Sequence, residues 1–297
     1  MARSEAAGKT GVTGANSSAS TGTSTGKVTI RRCETLAEMQ ACFALQKEVW
    51  GFADADLVPV RMFVVASKIG GHVMGAFVPT VEAGLAPSPK GGQKNDEQND
   101  REKLIAFALA IPGMRNGHCY LHSHMLAVRQ QYRNRGLGRR IKLYQREDAL
   151  AHGFELMEWT FDPLEIKNAY LNIEKLGAIA RRYNVNQYGI TSSPLQGGLP
   201  TDRLVAEWWM KSKRVEAVLA GAQPAKFDCR ARIEVPAEIY AWKAAPATRA
   251  QALAVQASNR ERFTSAFSAR LSVLGYKRDE HGNGRFLLGE WDEAWRY

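Results

Sequence analysis

The stretch that decides the fold runs Met125-Leu126-Ala127-Val128-Arg129-Gln130-Gln131-Tyr132-Arg133-Asn134-Arg135-Gly136-Leu137-Gly138-Arg139-Arg140. An apolar run of strand character gives way to a basic loop. Two glycines then open a segment with helical spacing at Leu137, Ile141, Tyr144 and Asp148. Strand, basic loop and helix start, in that order, make a place for an anion. Glycine lets the backbone come close, the first amides of a helix have no intrahelical acceptor, and the positive end of the helix dipole points the same way. Arginines on either side add charge-assisted hydrogen bonds. Arg133, Asn134, Arg135, Gly136, Leu137, Gly138 and Arg139 are therefore the candidate cradle for a pyrophosphate. Two other phosphate loops are excluded. There is no G-x-x-x-x-G-K-[ST], and the G-x-G lacks the third glycine and the acidic residue of a dinucleotide fingerprint.

Working upstream, His118 to Val128 contains the strand that enters the loop. His122 and His124 stand two apart on it, so period-2 alternation places both on one face with Leu126 and Val128. Imidazole, with an ordinary pKa of about 6.5, is suited to accepting a proton near neutrality. Downstream, Leu156 to Phe161 is the next strand, closed by Asp162-Pro163. Glu158, Thr160 and Asp162 alternate onto one face, where a carboxylate could orient an ammonium or a histidine. For Asp162, directly before a proline, the favoured reading is a turn residue that uses its carboxylate on the backbone.

The rest is read around this centre. Val28 to Arg32 is a short strand. Thr35 and Glu38 form a capping box for a helix running to about Trp50 and stopping at Gly51. A second helix opens at Pro59 and ends at Gly70-Gly71. Val73 to Val78 and Leu104 to Ile111 are strands, with residues 84–103 between them as a flexible, solvated insertion. Residues 167–180 read as helical, and Pro200-Thr201-Asp202 opens a further helix to about Gly221. A strand near Ala231 to Val235, a helix from Ala247 to Leu274 and a strand at Arg285 to Gly289 complete the chain. Residues 1–26, mostly Ser, Thr, Gly and Ala, have too few large apolar side chains to order. The division is thus a tail (1–26), a core (27–199) and a C-terminal α/β extension (200–297) packed on it. The class is mixed α/β with one sheet covered by helices.

Composition narrows the chemistry. The chain has 297 residues and a formal charge of +10, which calls for an anionic partner. Aromatic and basic residues do not interleave as in single-strand binders, so nucleic acid is disfavoured. The cysteines at 33, 42, 119 and 229 lie far apart, with no C-x-x-C pair and no histidine at ligand spacing. Neither a disulfide framework nor a metal site is expected, and a reducing, cytoplasmic setting fits. No apolar run reaches the length of roughly 18 to 20 residues that a membrane span needs, and the N-terminus lacks the apolar region of a secretory signal.

The segment Tyr132-Arg133-Asn134-Arg135-Gly136-Leu137-Gly138 resembles the acyl-CoA loop of the GNAT superfamily of N-acyltransferases, Q/R-x-x-G-x-G/A, over a likeness spanning residues 28–190. The resemblance implies a mixed, mostly antiparallel central sheet flanked by helices and splayed at the acyl-CoA site. It implies acetyl-CoA or another acyl-CoA as co-substrate, with pantetheine held by the backbone of Leu126, Ala127 and Val128. Paired histidines act as the general base in one branch of the superfamily, which points to His122 and His124, with Glu158 beside them. Asn168 and Asn172 would contact pantetheine or acceptor. A narrower likeness, through Trp159-Thr160-Phe161-Asp162-Pro163, Lys175-Leu176-Gly177 and Gly198-Leu199-Pro200-Thr201-Asp202-Arg203, is to a bacterial subfamily associated with amino-acid acylation, including succinyl-CoA-dependent members. It implies a small amine or amino-acid acceptor, with Asp162 and Arg203 as substrate-binding residues.

One departure stands out. The tyrosine that protonates the leaving thiolate in many of these enzymes is replaced by Ile173, leaving Tyr170, Tyr183, Tyr188 or water for that step. A non-catalytic acyl-CoA-binding module is the alternative reading. The C-terminal part could equally complete the sheet, cover the acceptor or form a homodimer interface.

Overall fold

The computed structural model describes residues 28–80, 102–189 and 196–290. The tail and most of the insertion read from the sequence lie outside these residues, and Glu102 and Lys103 belong to a strand.

One ten-stranded sheet organises the chain, in the order β1-β2-β3-β4-β5-β7-β6-β9-β10-β8. The strands are β1 Thr29–Arg32, β2 His72–Pro79, β3 Glu102–Arg115, β4 His118–Val128, β5 Leu156–Phe161, β6 Ile179–Asn184, β7 Arg203–Trp209, β8 Ala231–Val235, β9 Leu271–Arg278 and β10 Gly284–Glu290. The helices are α1 Leu36–Trp50, α2 Val60–Lys68, α3 Leu137–Ala151, α4 Ile166–Tyr170, α5 Lys213–Leu219, α6 Ile239–Ala244 and α7 Arg249–Ser268. Among the strand pairings described, only β4 with β5 is parallel. Helices α1 and α2 cover one face at the β1–β4 end, through Met39, Leu45 and Phe63 on Phe107, Leu109 and Met125. Helices α3 to α7 cover the other face, where Trp159, Trp208, Phe263 and Phe286 form the larger core.

Local signals explain the well-read elements. Thr35 accepts from the Glu38 amide while Glu38 reaches back to the Thr35 amide, and Gly51 closes α1 in the left-handed region at φ 62°. Three readings are corrected. The helix from Pro200 to Gly221 is β7 followed by the short α5. Leu204, Ala206 and Trp208 face the core while Val205, Glu207 and Trp209 face the other way, and Glu207 is buried only because Arg181 and Arg182 bind it. The helical reading of residues 167–180 ends early: α4 passes into a π-turn, Leu171–Lys175, and β6 follows. The last long helix stops at Ser268, with Arg270 left-handed at φ 60°, and gives way to β9. Of the roles left open for residues 200–297, completion of the sheet is seen in β7, which pairs with both β5 and β6.

Candidate active site

Strand β4 does two things that create the site. It pairs with β5 only at Leu121↔Met157 and His122↔Glu158, so the strands part beyond that rung and the length of β4 from residue 123 to 128 borders a fork. It also bulges. Ala110 of β3 faces Ser123 and Leu109 faces Met125, which leaves His124 as the extra residue. The bulge shifts the side-chain phase. Leu121 and Ser123 lie on the α3 face, as do Leu126 and Val128, whereas Met125 and Ala127 pack against α1 and α2. His122, opposite Ile111, and His124, beside Leu57, Pro59 and Met62, stand on the α1–α2 side. The expectation that both histidines share a face with Leu126 and Val128 is therefore corrected. The two rings remain neighbours, with centroids 6.2 Å apart.

Burial, and then the neighbouring His124, draw the pKa of His122 down to about 4. It is neutral at physiological pH and able to accept a proton. His124 lines an apolar groove of about 270 Å³ with Leu57, Val58, Pro59, Met62 and Leu109, and Asp56 stands at its edge.

The same face continues across β5, β7 and β6. Glu158 is 1% exposed and pairs with Arg115 at 2.8 Å and with Arg182. Glu207 is 0% exposed and pairs with Arg181 at 3.0 Å and Arg182 at 3.1 Å. A carboxylate held between two guanidiniums has its lone pairs engaged. Glu158 thus organises the arginines that rim the histidines, and the geometry favours this over proton abstraction. Thr160 shares a 2.9 Å hydrogen bond with the Tyr188 hydroxyl, and Arg203 lies over the Tyr188 ring. Arg203 sits on a strand, not in the first turn of a helix, and donates to the Asp202 carbonyl and Gln196 Oε1. Asp162 lies one residue past β5, and its oxygens accept from the Leu164 amide at 2.8 Å and Lys243 Nζ at 2.9 Å. Of its two sequence readings, the turn is the one the geometry supports.

At the other end of the fork is the basic loop. Gly136 caps α3 in the left-handed region at φ 73°, no side chain caps the helix, and the first helical bond is Arg140 N to the Gly136 carbonyl. The amides of Leu137, Gly138 and Arg139 precede it. A Cβ built on Gly136 meets nothing within 4 Å, and one on Gly138 meets only Leu126 Cδ2 at 3.6 Å, so both glycines border open space. Asn134 is also left-handed, at φ 61°, and Arg133 Nε reaches back 2.9 Å to the Val128 carbonyl. The π-turn lies against this helix start, with Arg139 Nε donating to the Lys175 carbonyl at 3.3 Å. Within it Asn172 is 2% exposed and its Nδ2 has no partner among the described residues, an orphan donor of the kind a buried site leaves for a ligand. Asn168 is exposed.

Of the candidate tyrosines, Tyr183 donates to Asp202 at 2.7 Å and burial holds its pKa well above the ordinary value. Tyr188 is bound to Thr160, and Tyr170 lies beside Lys175. Sequence reading missed Lys142, whose apolar surroundings became visible only with the fold.

No family model matches the chain, and no curated protein does. Solved structures with a similar course include the ribosomal-protein-S18-alanine N-acetyltransferase of Escherichia coli (15% identity, 63% of this chain and 96% of that one, TM-score 0.43). A GNAT-family acetyltransferase of Streptococcus pneumoniae matches at 16% identity over 61% of this chain and 98% of that one, TM-score 0.43. An N-acetyltransferase of Staphylococcus aureus Mu50 matches at 12% identity over 62% and 99%, TM-score 0.42. Among the described residues no helix is long and apolar enough to cross a membrane, and no group of three or more His, Cys, Asp or Glu is placed to hold a metal ion.

Proposed function

We propose that the chain is an acyl-CoA-dependent N-acyltransferase acting on a small amine that carries a carboxylate, such as an amino acid. The observation that carries this is the fork: one strand leads from an open, glycine-started helix with free amides, along an unpaired edge, to two adjacent histidines. A diphosphate suits the amides of Leu137, Gly138 and Arg139 with Arg133, Asn134 and Arg135 around them. The edge at Leu126, Ala127 and Val128 suits an amide-bearing arm, which needs backbone partners, and the Asn172 amide suits a carbonyl on it. Acyl-CoA supplies a thioester carbonyl at the narrow end.

There His122 or His124 takes the proton from the acceptor's ammonium, because only the free amine has a lone pair to attack. The amine nitrogen bonds to the acyl carbon, the carbon–sulfur bond breaks, and the thiolate takes up one proton. Backbone amides on the unpaired edge of β4 at this narrow end, beside His124, are suited to the oxyanion. The acceptor's carboxylate has a basic wall to meet. Arg115, Arg181 and Arg182, paired with the two buried glutamates, face this side, and so does Arg203. Arg203, bonded to neutral oxygens, is the guanidinium best placed to bind it, bidentately.

The test is free-thiol release from acetyl-CoA and succinyl-CoA with a panel of L- and D-amino acids, and mass spectrometry of the product. Release that depends on the acceptor, and falls at least tenfold in the double variant His122→Ala, His124→Ala, supports the reading. Binding of CoA with no turnover on any acceptor overturns it in favour of a binding module.

A further inference from the structure

Lys142 of α3 is 4% exposed and has no carboxylate partner among the described residues. Its Nζ donates to Ser123 Oγ at 2.7 Å, lies 3.8 Å from the centre of the Trp159 ring and 4.0 Å from Met157 Sδ. Ser123 is the first residue of β4 beyond the last rung shared with β5, and Met157 and Trp159 flank Glu158, which forms that rung. The ammonium therefore touches both strands where they separate, on the face opposite the histidines.

A chain of hydrogen bonds of fixed direction runs away from it. Ser123 Oγ donates to Gln145 Oε1 at 3.4 Å, and Gln145 Nε2 lies 2.9 Å from His72 Nε2. An amide nitrogen only donates, so that ring nitrogen accepts and His72 carries its proton on Nδ1. This proton goes to Asp148 Oδ2 at 3.0 Å, and Asp148 is gripped by Arg32 Nε and Nη2 at 2.7 and 2.6 Å. His72 is 1% exposed, and burial lowers its pKa, in agreement with a neutral ring.

A lone lysine in an apolar setting costs stability unless something else is gained. We propose that Lys142 is a positioning residue of the transfer reaction: it ties Ser123 of β4 to Met157 and Trp159 of β5, fixing the width of the fork and the bulge that carries His124. The proposal rests on the acyltransfer reading for its catalytic consequence, but the brace itself does not. Burial also draws the Lys142 pKa down to about 7, so its charge changes near neutrality. The charged and titratable groups around it are His72 on β2, Arg32 on β1 and Asp148 on α3, with His122, Glu158 and Arg115 beyond the sheet.

The variants are Lys142→Met, which keeps length without charge, and Ser123→Ala, which removes the acceptor. Two readouts are taken on each. Hydrogen exchange of the amides of residues 123–126 in the free protein is expected to quicken at least tenfold, whether or not the protein proves to be a transferase. In the transfer assay kcat is expected to fall at least tenfold with the Kd for CoA within threefold of the parent. The parent's kcat is expected to show a falling step near pH 7 that Lys142→Met lacks. Unchanged exchange in both variants overturns the brace. Quickened exchange with unchanged kcat, or a pH step that survives in Lys142→Met, overturns its role in the reaction. Absence of transfer by the parent overturns only the acyltransfer reading, and the exchange result still decides the brace.

Discussion

His122 and Glu158 face each other across the last rung that β4 and β5 share, and beyond them the two strands separate. Histidine, buried carboxylate and fork therefore meet at one level of the sheet, while the anion-binding helix start lies at the far end of β4, past Val128.

The loop is testable without activity. Gly138→Val adds a branched side chain beside the helix-start amides, its Cβ having Leu126 Cδ2, at 3.6 Å, as its one near neighbour. Isothermal titration is expected to show CoA affinity reduced at least tenfold, with the melting temperature within about 2 °C of the parent, since a surface change free of clashes shifts stability by only about 0.5 kcal/mol.

The acceptor side separates from the cofactor side. Arg203→Ala is expected to raise the acceptor KM at least tenfold while leaving the Kd for CoA unchanged, as measured by steady-state kinetics and titration. A change in CoA affinity of equal size would place Arg203 in the wrong half of the site.

His122 sets a pH dependence whose sign follows from its lowered pKa of about 4. Unfolded, an imidazole titrates near 6.5, so between about pH 6.5 and 4 the unfolded chain binds the extra proton and the folded one does not. Stability contributed at this site is complete above pH 6.5 and is lost as pH falls to 4. Chemical denaturation of the parent and of His122→Gln across this window is expected to show a steeper loss in the parent.

Phe263 stacks on Tyr183 and meets Phe286 edge-on, with its side chain fully buried between α7 and the sheet. Phe263→Ala is expected to cost about 3–5 kcal/mol, read from urea unfolding, because the cavity it leaves is walled by rigid strands.

Thiol reactivity should follow burial. Cys119 is exposed, whereas Cys42 is buried against Cys33, whose sulfur hydrogen bond, with burial, raises the Cys42 pKa further. Peptide mapping after brief alkylation is expected to find Cys119 labelled first and Cys42 only after unfolding.

What the sequence conveyed follows from how local the signals were. Strand β5 is legible to the residue, and β4 and β8 fall where the sequence places them, since each is a short run bounded by turn residues. The capping box and the glycine-started helix were readable for the same reason, being complete within a few positions. The misreadings share a different cause. Glu207 looks like the polar face of a helix until Arg181 and Arg182 arrive from β6 to neutralise it. The facing of His122 and His124 could not be derived by alternation, because the extra residue of a bulge is visible only against the partner strand. Lys142 looks like any helix-surface lysine, and only the tertiary fold places Trp159 and Ser123 around it. Asp162 was the instructive intermediate, since its turn role is local and its partner Lys243 is 81 positions away.

The placement of β7 between β5 and β6 bears on how the chain comes into being. Strands β1 to β5 can zip together in the order they leave the ribosome, each beside its predecessor. β6 emerges next but has no seat until residues 203–209 follow, and its other neighbour, β9, comes later still. A newly made chain thus carries β6 for a time as an unsheltered edge, and a version cut at residue 199 would carry it permanently.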